Sequence, residues 1–358
     1  MNKFYLNMLE NGKVSFTVGG QWGSCGKGCA AAYIGFSMST QGRGFDYHVS
    51  GASAQAGHTS IHRGKKRVVF HLPTAPLIGQ DEGIDDYTIY LTSGACIDPT
   101  VLENELNENQ PKGNFFIHPM AAVITDECRE AEGTIDSSTT KIASTRKGVG
   151  EALSRKIMRK GMVAKDHPYL KQFVKRVDLN SKLAAGKSML MEVPQGVSLS
   201  LNHSPFYPHT TSRDCLPVTS MAEAGIHPSF MGKTMVVLRT FPIRVGNIIE
   251  GNNTYSSGGY YDDQTETSWT ELGVEPEITT VTKRVRRVFT FSEQQVYDTF
   301  RLVRPEVVFL TFVNYLRDDV KLLKKITDAI RNAATKVGIE PPYIIRQYGP
   351  TTNDVQEP

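Results

Sequence analysis

Gly19-Gly20-Gln21-Trp22-Gly23-Ser24-Cys25-Gly26-Lys27-Gly28 joins two runs of opposite character. Before it, the apolar run Val14-Ser15-Phe16-Thr17-Val18 predicts a buried strand. After it, Cys29-Ala30-Ala31-Ala32-Tyr33-Ile34 predicts the first turns of a helix. A glycine-rich turn between strand and helix presents unpaired backbone N–H groups and a helix N-terminus to an anion, and Lys27 adds a full positive charge. That is the chemistry of a nucleotide phosphate site. The segment nevertheless departs twice from the ordinary P-loop: five residues, not four, separate Gly20 from Gly26, and Gly28 stands where a Ser or Thr would hold Mg²⁺. A glycine-rich surface turn is the competing reading.

Outward from this loop, short β-branched and aromatic runs alternate with helical patterns, which predicts an α/β protein. Strands are expected at Val14–Val18, Arg67–Leu72, Tyr87–Thr92, Phe115–His118, Met189–Val193, Thr234–Arg239, Val307–Phe312 and Tyr343–Arg346. They show little alternation, as in a sheet covered on both faces. Asp98-Pro99 predicts a helix start. Ser292-Glu293-Gln294-Gln295 reads as a capping box for a helix to about Arg304, and 318–337 reads as an amphipathic helix closed by Gly338. No linker divides the chain, so 1–358 is expected to form one domain with inserted loops. The polar stretch Gly251–Glu271 is expected as a long surface excursion near the active site.

The 40 Lys and Arg against 37 Asp and Glu leave a net charge of +3, which implies no nucleic-acid-binding field. Mean hydropathy is −0.30 and no 18-residue apolar run occurs, so no membrane helix is expected. The apolar stretch in Met1–Leu6 is too short for a signal peptide. Five cysteines without a Cys-x-x-Cys pair fit reduced thiols in a cytoplasm. Cys25, inside the loop, reads as a small residue filling a tight turn.

Gln-Trp-Gly-x-x-Gly-Lys-Gly resembles the phosphate loop of adenylosuccinate synthetases. Further matches follow in that family's order: Gln55-Ala56-Gly57-His58-Thr59, Ser144-Thr145, Arg159, Gln195-Gly196, Thr282-Lys283-Arg284-Val285-Arg286-Arg287 and Gly349-Pro350. The resemblance implies a P-loop-like α/β fold with a central, mostly parallel sheet flanked by helices and long inserted loops. It also implies condensation of L-aspartate with the 6-oxo group of a purine nucleotide, driven by a nucleoside triphosphate.

Three departures sharpen that expectation. The family's loop carries an Asp, its general base and Mg²⁺ ligand, where this chain has Ser24. The family reads guanine with an Asp in a Thr-Lys-x-Asp run, where this chain has Thr311-Phe312-Val313-Asn314. The chain is also short. Together these resemble the phage branch, which builds diaminopurine nucleotides from dGMP. An ordinary synthetase acting on IMP and a catalytically dead purine-binding protein are the alternatives, and a P-loop ATPase or kinase is a third.

The resemblance then distributes the chemistry. Ser24, Lys27, His58 and Gln195 are the expected catalytic groups, with His58 titrating near working pH. Cys25, Gly26, Lys27, Gly28, Gly57, His58 and Thr59 would hold the triphosphate, and Asn314, Gln347, Gly349 and Pro350 its base. Asn offers a carbonyl and an amide, which pairs with adenine, so the expected co-substrate is ATP or dATP. Phe312 would add a stacking surface. Ser24, Gln55, Ser144, Thr145, Gln195, Thr211 and Arg159 would bind dGMP, with Arg159 delivered from the second subunit of a homodimer. Thr280, Val281, Thr282, Arg284 and Arg286 would bind aspartate, since guanidinium forks suit carboxylates. Mg²⁺ would meet Ser24 and the Gly57 carbonyl. A serine hydroxyl cannot serve as the N1 base near neutral pH without help. Ser24 either makes room for an amine at purine C2 or marks lost activity.

Overall fold

The computed structural model describes residues 7–133, 142–279 and 283–358. Among these described residues nine strands form one central sheet: β1 (Val14–Gly19), β2 (Tyr47–Ser50), β3 (Thr88–Leu91), β4 (Asn114–Ile117), β5 (Met189–Glu192), β6 (Met231–Arg239), β7 (Val307–Thr311), β8 (Tyr343–Gln347) and β9 (Val355–Gln356). Their order is β9-β8-β7-β6-β1-β5-β2-β3-β4. Every neighbouring pair is parallel except β8 with β9. The C-terminal ends of β1, β5, β6, β7 and β8 therefore open on one edge, the place where open α/β sheets bind ligands.

Successive residues of the central strands serve opposite layers. Val236, Leu238, Val308 and Leu310 pack with Val296, Phe300, Ile326 and Ile330 from the helices Glu293–Val303 and Val320–Lys336. Met235, Val237, Phe309 and Ile345 pack instead with Ala30, Ala31 and Ile34 of α1 (Lys27–Ser39). Two-sided burial is why these strands read as continuous apolar runs.

Seven of the eight expected strands lie in this sheet. Arg67–Leu72 contributes instead to a separate hairpin, His58–His62 with Lys65–Val69. The sequence reading omits β2: Tyr47-His48-Val49-Ser50 is four residues long and half polar, yet it sits between β5 and β3. Asp98 caps its helix through Thr100 N and Val101 N as expected. Ser292 accepts from Gln295 N, but the Gln295 side chain does not complete a capping box; its Nε2 donates to Ser198 Oγ at 3.0 Å. The helix near the C-terminus is capped by Asp319, one residue after the expected start. Gly251–Glu271 is not all loop: it holds the strands Asn253–Tyr255 and Glu266–Thr267 and the start of the helix Trp269–Leu272. Among the described residues no helix is long and apolar enough to cross a membrane.

Candidate active site

The glycine-rich loop leaves β1 and is fastened to its neighbours through both backbone and side chains. Gly20 N donates to Val237 O at 2.9 Å, and the Gln21 carboxamide exchanges two hydrogen bonds with the backbone of Arg239. Trp22 anchors the loop in an aromatic cluster with Phe206, Tyr261 and Phe289. Ser24 is then exposed in a left-handed conformation (φ 46°), while Cys25 turns inward and its carbonyl accepts from Thr311 Oγ1 at 2.8 Å. Gly26 (φ 87°) caps α1, so its following amides face the C-terminal edge of the sheet.

Gly28 has a packing reason to depart from the ordinary P-loop. A Cβ at this position would overlap the backbone of Thr59. The second motif, Gln55–Thr59, is thereby laid directly on the first turn of α1. Lys27 is buried and donates through Nζ to Gln195 O. Gln195 itself is left-handed (φ 60°), and its buried Nε2 has no hydrogen-bond partner among the described residues. Lys27 and Gln195 thus meet where β1 and β5 end, at the base of the loop that carries Ser24.

His58 starts the hairpin, and its Nδ1 lies 3.8 Å from Glu192 Oε2. Burial, with the nearby Lys27 charge, pushes the imidazole down to about 3. His58 is therefore neutral at working pH, unlike the expectation of a group poised near 7. Glu192 ends β5; burial raises its carboxyl to about 7, opposed by hydrogen bonds from Ala75 N and Thr74 N and by Lys27. Sequence reasoning missed Glu192. The available signal was a lone carboxylate at the end of the apolar run Met189–Val193.

Two expected dGMP contacts touch each other: Gln55 Nε2 donates to Thr211 Oγ1 at 2.9 Å. Ser144 and Thr145 are half-buried in the segment before the helix Val149–Ile157. That segment is held by Arg284, whose NH2 donates to the carbonyls of Ala143 and Ser144 and whose NH1 donates to Gly246 O. Arg284 therefore spends these donors on backbone rather than on an open carboxylate site. Arg287 is likewise engaged, pairing with Glu266 at 2.6 Å. Arg286 makes no side-chain hydrogen bond among the described residues, and burial lowers it to about 10, with Glu277 opposing and Arg239 assisting. Thr280, Val281 and Thr282 lie outside the described residues.

Arg159 is exposed, with φ 62° and no ion pair among the described residues. Its neighbours Arg155 and Lys156 are engaged, Arg155 with Glu127 and Glu151 and Lys156 with Ser93 O. Ile157 and Met158 beside it are 79% and 56% exposed.

The base-reading candidates gather at the ends of β7 and β8. Asn314 is exposed on a short turn, Val313–Leu316. Cys29 Sγ lies between Thr59 O at 3.6 Å and Pro350 O at 3.9 Å, and Gln347 is buried alongside. Gly349 meets Asp354, where a Cβ would overlap that carboxylate. The expected stacking role of Phe312 changes in detail, because the Arg239 guanidinium covers its ring at 3.9 Å.

Comparison with known proteins bears on the family and the fold. The adenylosuccinate synthetase family model matches residues 16–183 and 167–327. The N6-succino-2-amino-2'-deoxyadenylate synthase of Vibrio phage phiVC8 is 34% identical, with 94% of this chain and 95% of that protein covered. The adenylosuccinate synthetase of Pyrococcus horikoshii is 28% identical, with 90% and 92% covered. The solved succinoaminodeoxyadenylate synthetase of cyanophage S-2L, bound to dGMP and to dATP as an energy donor, superposes with a TM-score of 0.83 at 32% identity, covering 96% of this chain and 95% of that one. The fully ligated Plasmodium falciparum adenylosuccinate synthetase shares the fold at TM-score 0.73 and 17% identity, covering 97% and 100%.

Proposed function

Because this chain belongs to the adenylosuccinate synthetase family, we propose that it joins L-aspartate to C6 of dGMP at the expense of ATP or dATP. The γ-phosphoryl group moves to purine O6, making phosphate the leaving group, and the aspartate amine then displaces it at C6. The first step needs positioning and neutralised charge more than covalent help. Lys27 and the amides of Gly26 and Gly28 supply that at the triphosphate, and His58 faces the transferring oxygens. Gln195, with its unpartnered Nε2, addresses the base near O6 and N1. Arg286 is the guanidinium left open for the aspartate carboxylates.

The observation that carries the dGMP reading is Ser24. It is exposed at the turn where the family places a carboxylate, and its short side chain leaves room for the C2 amine of guanine. Relatives named for the 2-amino product, at 31–34% identity, support it. The cyanophage protein's dGMP and dATP support the same substrates here.

The Ser24 hydroxyl and the Gly57 carbonyl are hard oxygen donors, too few to cage a metal alone. They suit a Mg²⁺ ion carried largely by triphosphate oxygens. Bound there, the ion would neutralise charge on the phosphates. Arg159 lies beside exposed Ile157 and Met158, which supports a homodimer in which it reaches the partner's nucleotide phosphate. The expected setting is the cytoplasm of an infected host.

Phosphate release tests the reaction class. It should require dGMP and aspartate together. Turnover without aspartate would indicate a plain ATPase or kinase, and no turnover in any mixture a binding protein.

A further inference from the structure

Glu192 is 2% exposed, and its two carboxylate oxygens have unequal fates. Oε1 accepts from Thr74 N at 2.7 Å and Ala75 N at 3.0 Å, the first amides of α2 (Thr74–Asp81). Oε2 is buried with no hydrogen-bond partner among the described residues. A free carboxylate oxygen in such a place costs stability unless something else satisfies it. The group it faces is His58 Nδ1, at 3.8 Å.

Resting on the synthetase reading above, we propose that Glu192 is the positioning residue of His58: its Oε2 accepts from Nδ1–H and so directs Nε2 toward the nucleotide. The backbone makes the arrangement one-sided. The α2 amides donate only, so they hold Oε1 and fix the rotation of the carboxylate, leaving Oε2 to accept from the ring. The remaining gap is under 1 Å beyond hydrogen-bond range, the kind of slack that closes when ligand fills a site. Lys27 is held by the Gln195 carbonyl three residues after Glu192, so the same strand end places both the lysine and the histidine. The arrangement is the carboxylate–imidazole pairing by which enzymes select one tautomer.

The test uses the full chain with ¹⁵N-labelled histidine, the His58 signals being assigned with His58→Asn. Wild-type protein should show the Nδ1–H tautomer at His58. In Glu192→Gln the amide oxygen must turn to Thr74 N and Ala75 N, which puts its NH₂ against Nδ1 and should invert the tautomer. With dGMP, ATP and aspartate, kcat should fall about 10- to 100-fold while each KM stays within about 3-fold, as for other groups that orient a catalytic ligand. An Nε2–H tautomer in the wild type would overturn the proposal, even if the variant did not fold. So would a Glu192→Gln protein with unchanged tautomer and unchanged kcat. Absence of synthetase activity in the wild type would sink the functional reading alone, since the tautomer is read without turnover.

Discussion

The Arg239 guanidinium donates to the Ser24 carbonyl at 3.1 Å from a side chain with no solvent exposure. The same group pairs with Glu277 at 2.5 Å and stacks on Phe312, while Tyr315 Oη donates to Glu277 at 3.0 Å. Arg286 N donates to Glu277 O at 2.9 Å, which ties the segment carrying Arg286 to the same knot. One buried cation therefore braces the phosphate loop, the segment carrying Asn314 and the segment carrying Arg286.

Arg239→Met should strand Glu277 and release Ser24. Loss of one partner of a buried pair costs about 3–5 kcal/mol, and the partial exposure of Glu277 puts the expected loss at or below the lower end. Urea denaturation measures it. The KM values for ATP and aspartate should rise together, because both segments lose the same brace.

Ser24→Asp should lower kcat/KM for dGMP about 10- to 100-fold, by crowding the C2 amine with a carboxylate. Use of IMP, which lacks that amine, should hold or improve. Steady-state kinetics on both nucleotides reads the ratio, and an unchanged ratio would remove the steric account of Ser24.

Asn314→Asp should move the energy donor from ATP toward GTP by about 10-fold or more in relative kcat/KM, since a carboxylate accepts from guanine N1–H and N2–H₂ and repels the adenine N1 lone pair. Parallel assays with the two triphosphates check it. Retained ATP preference would pass the reading role to Gln347 or to backbone near Gly349.

His48, buried on β2 between Phe45 and Tyr87, is held at about 3 by burial. The unfolded chain binds that proton below its ordinary value of 6.5, and the folded chain refuses it. Stability is thus intact above pH 6.5 and falls as pH drops toward 3, by about 1.4 kcal/mol per pH unit for this residue. Urea unfolding of wild type and His48→Phe between pH 6 and 4 should differ in slope by about that amount.

The sheet was legible wherever both faces of a strand are buried, because Val14–Gly19 and Val307–Thr311 announce themselves as apolar runs. β2 was not, since His48 and Ser50 are polar residues buried in a central strand. The glycine-rich loop 19–28 and the stretch Gln55–Thr59 were visible as motifs because each is a short continuous run of sequence. Glu192, Arg239 and Glu277 were not, because each acquires its role from partners 38 to 215 positions away, such as Arg239 with Ser24 and Glu277 or Glu192 with Thr74. Arg284 was legible as a cation, but its commitment to the Ala143 and Ser144 carbonyls exists only in three dimensions.

The central claim is the pairing of dGMP with an adenine nucleotide, and product mass tests it most directly. The protein would be incubated with Mg²⁺, L-aspartate, either dGMP or IMP, and either ATP or GTP. The account predicts a succinylated 2-aminopurine deoxynucleotide from dGMP with ATP, and little product from the other mixtures. Product formed mainly from IMP with GTP would contradict it and return the chain to ordinary adenylosuccinate synthesis.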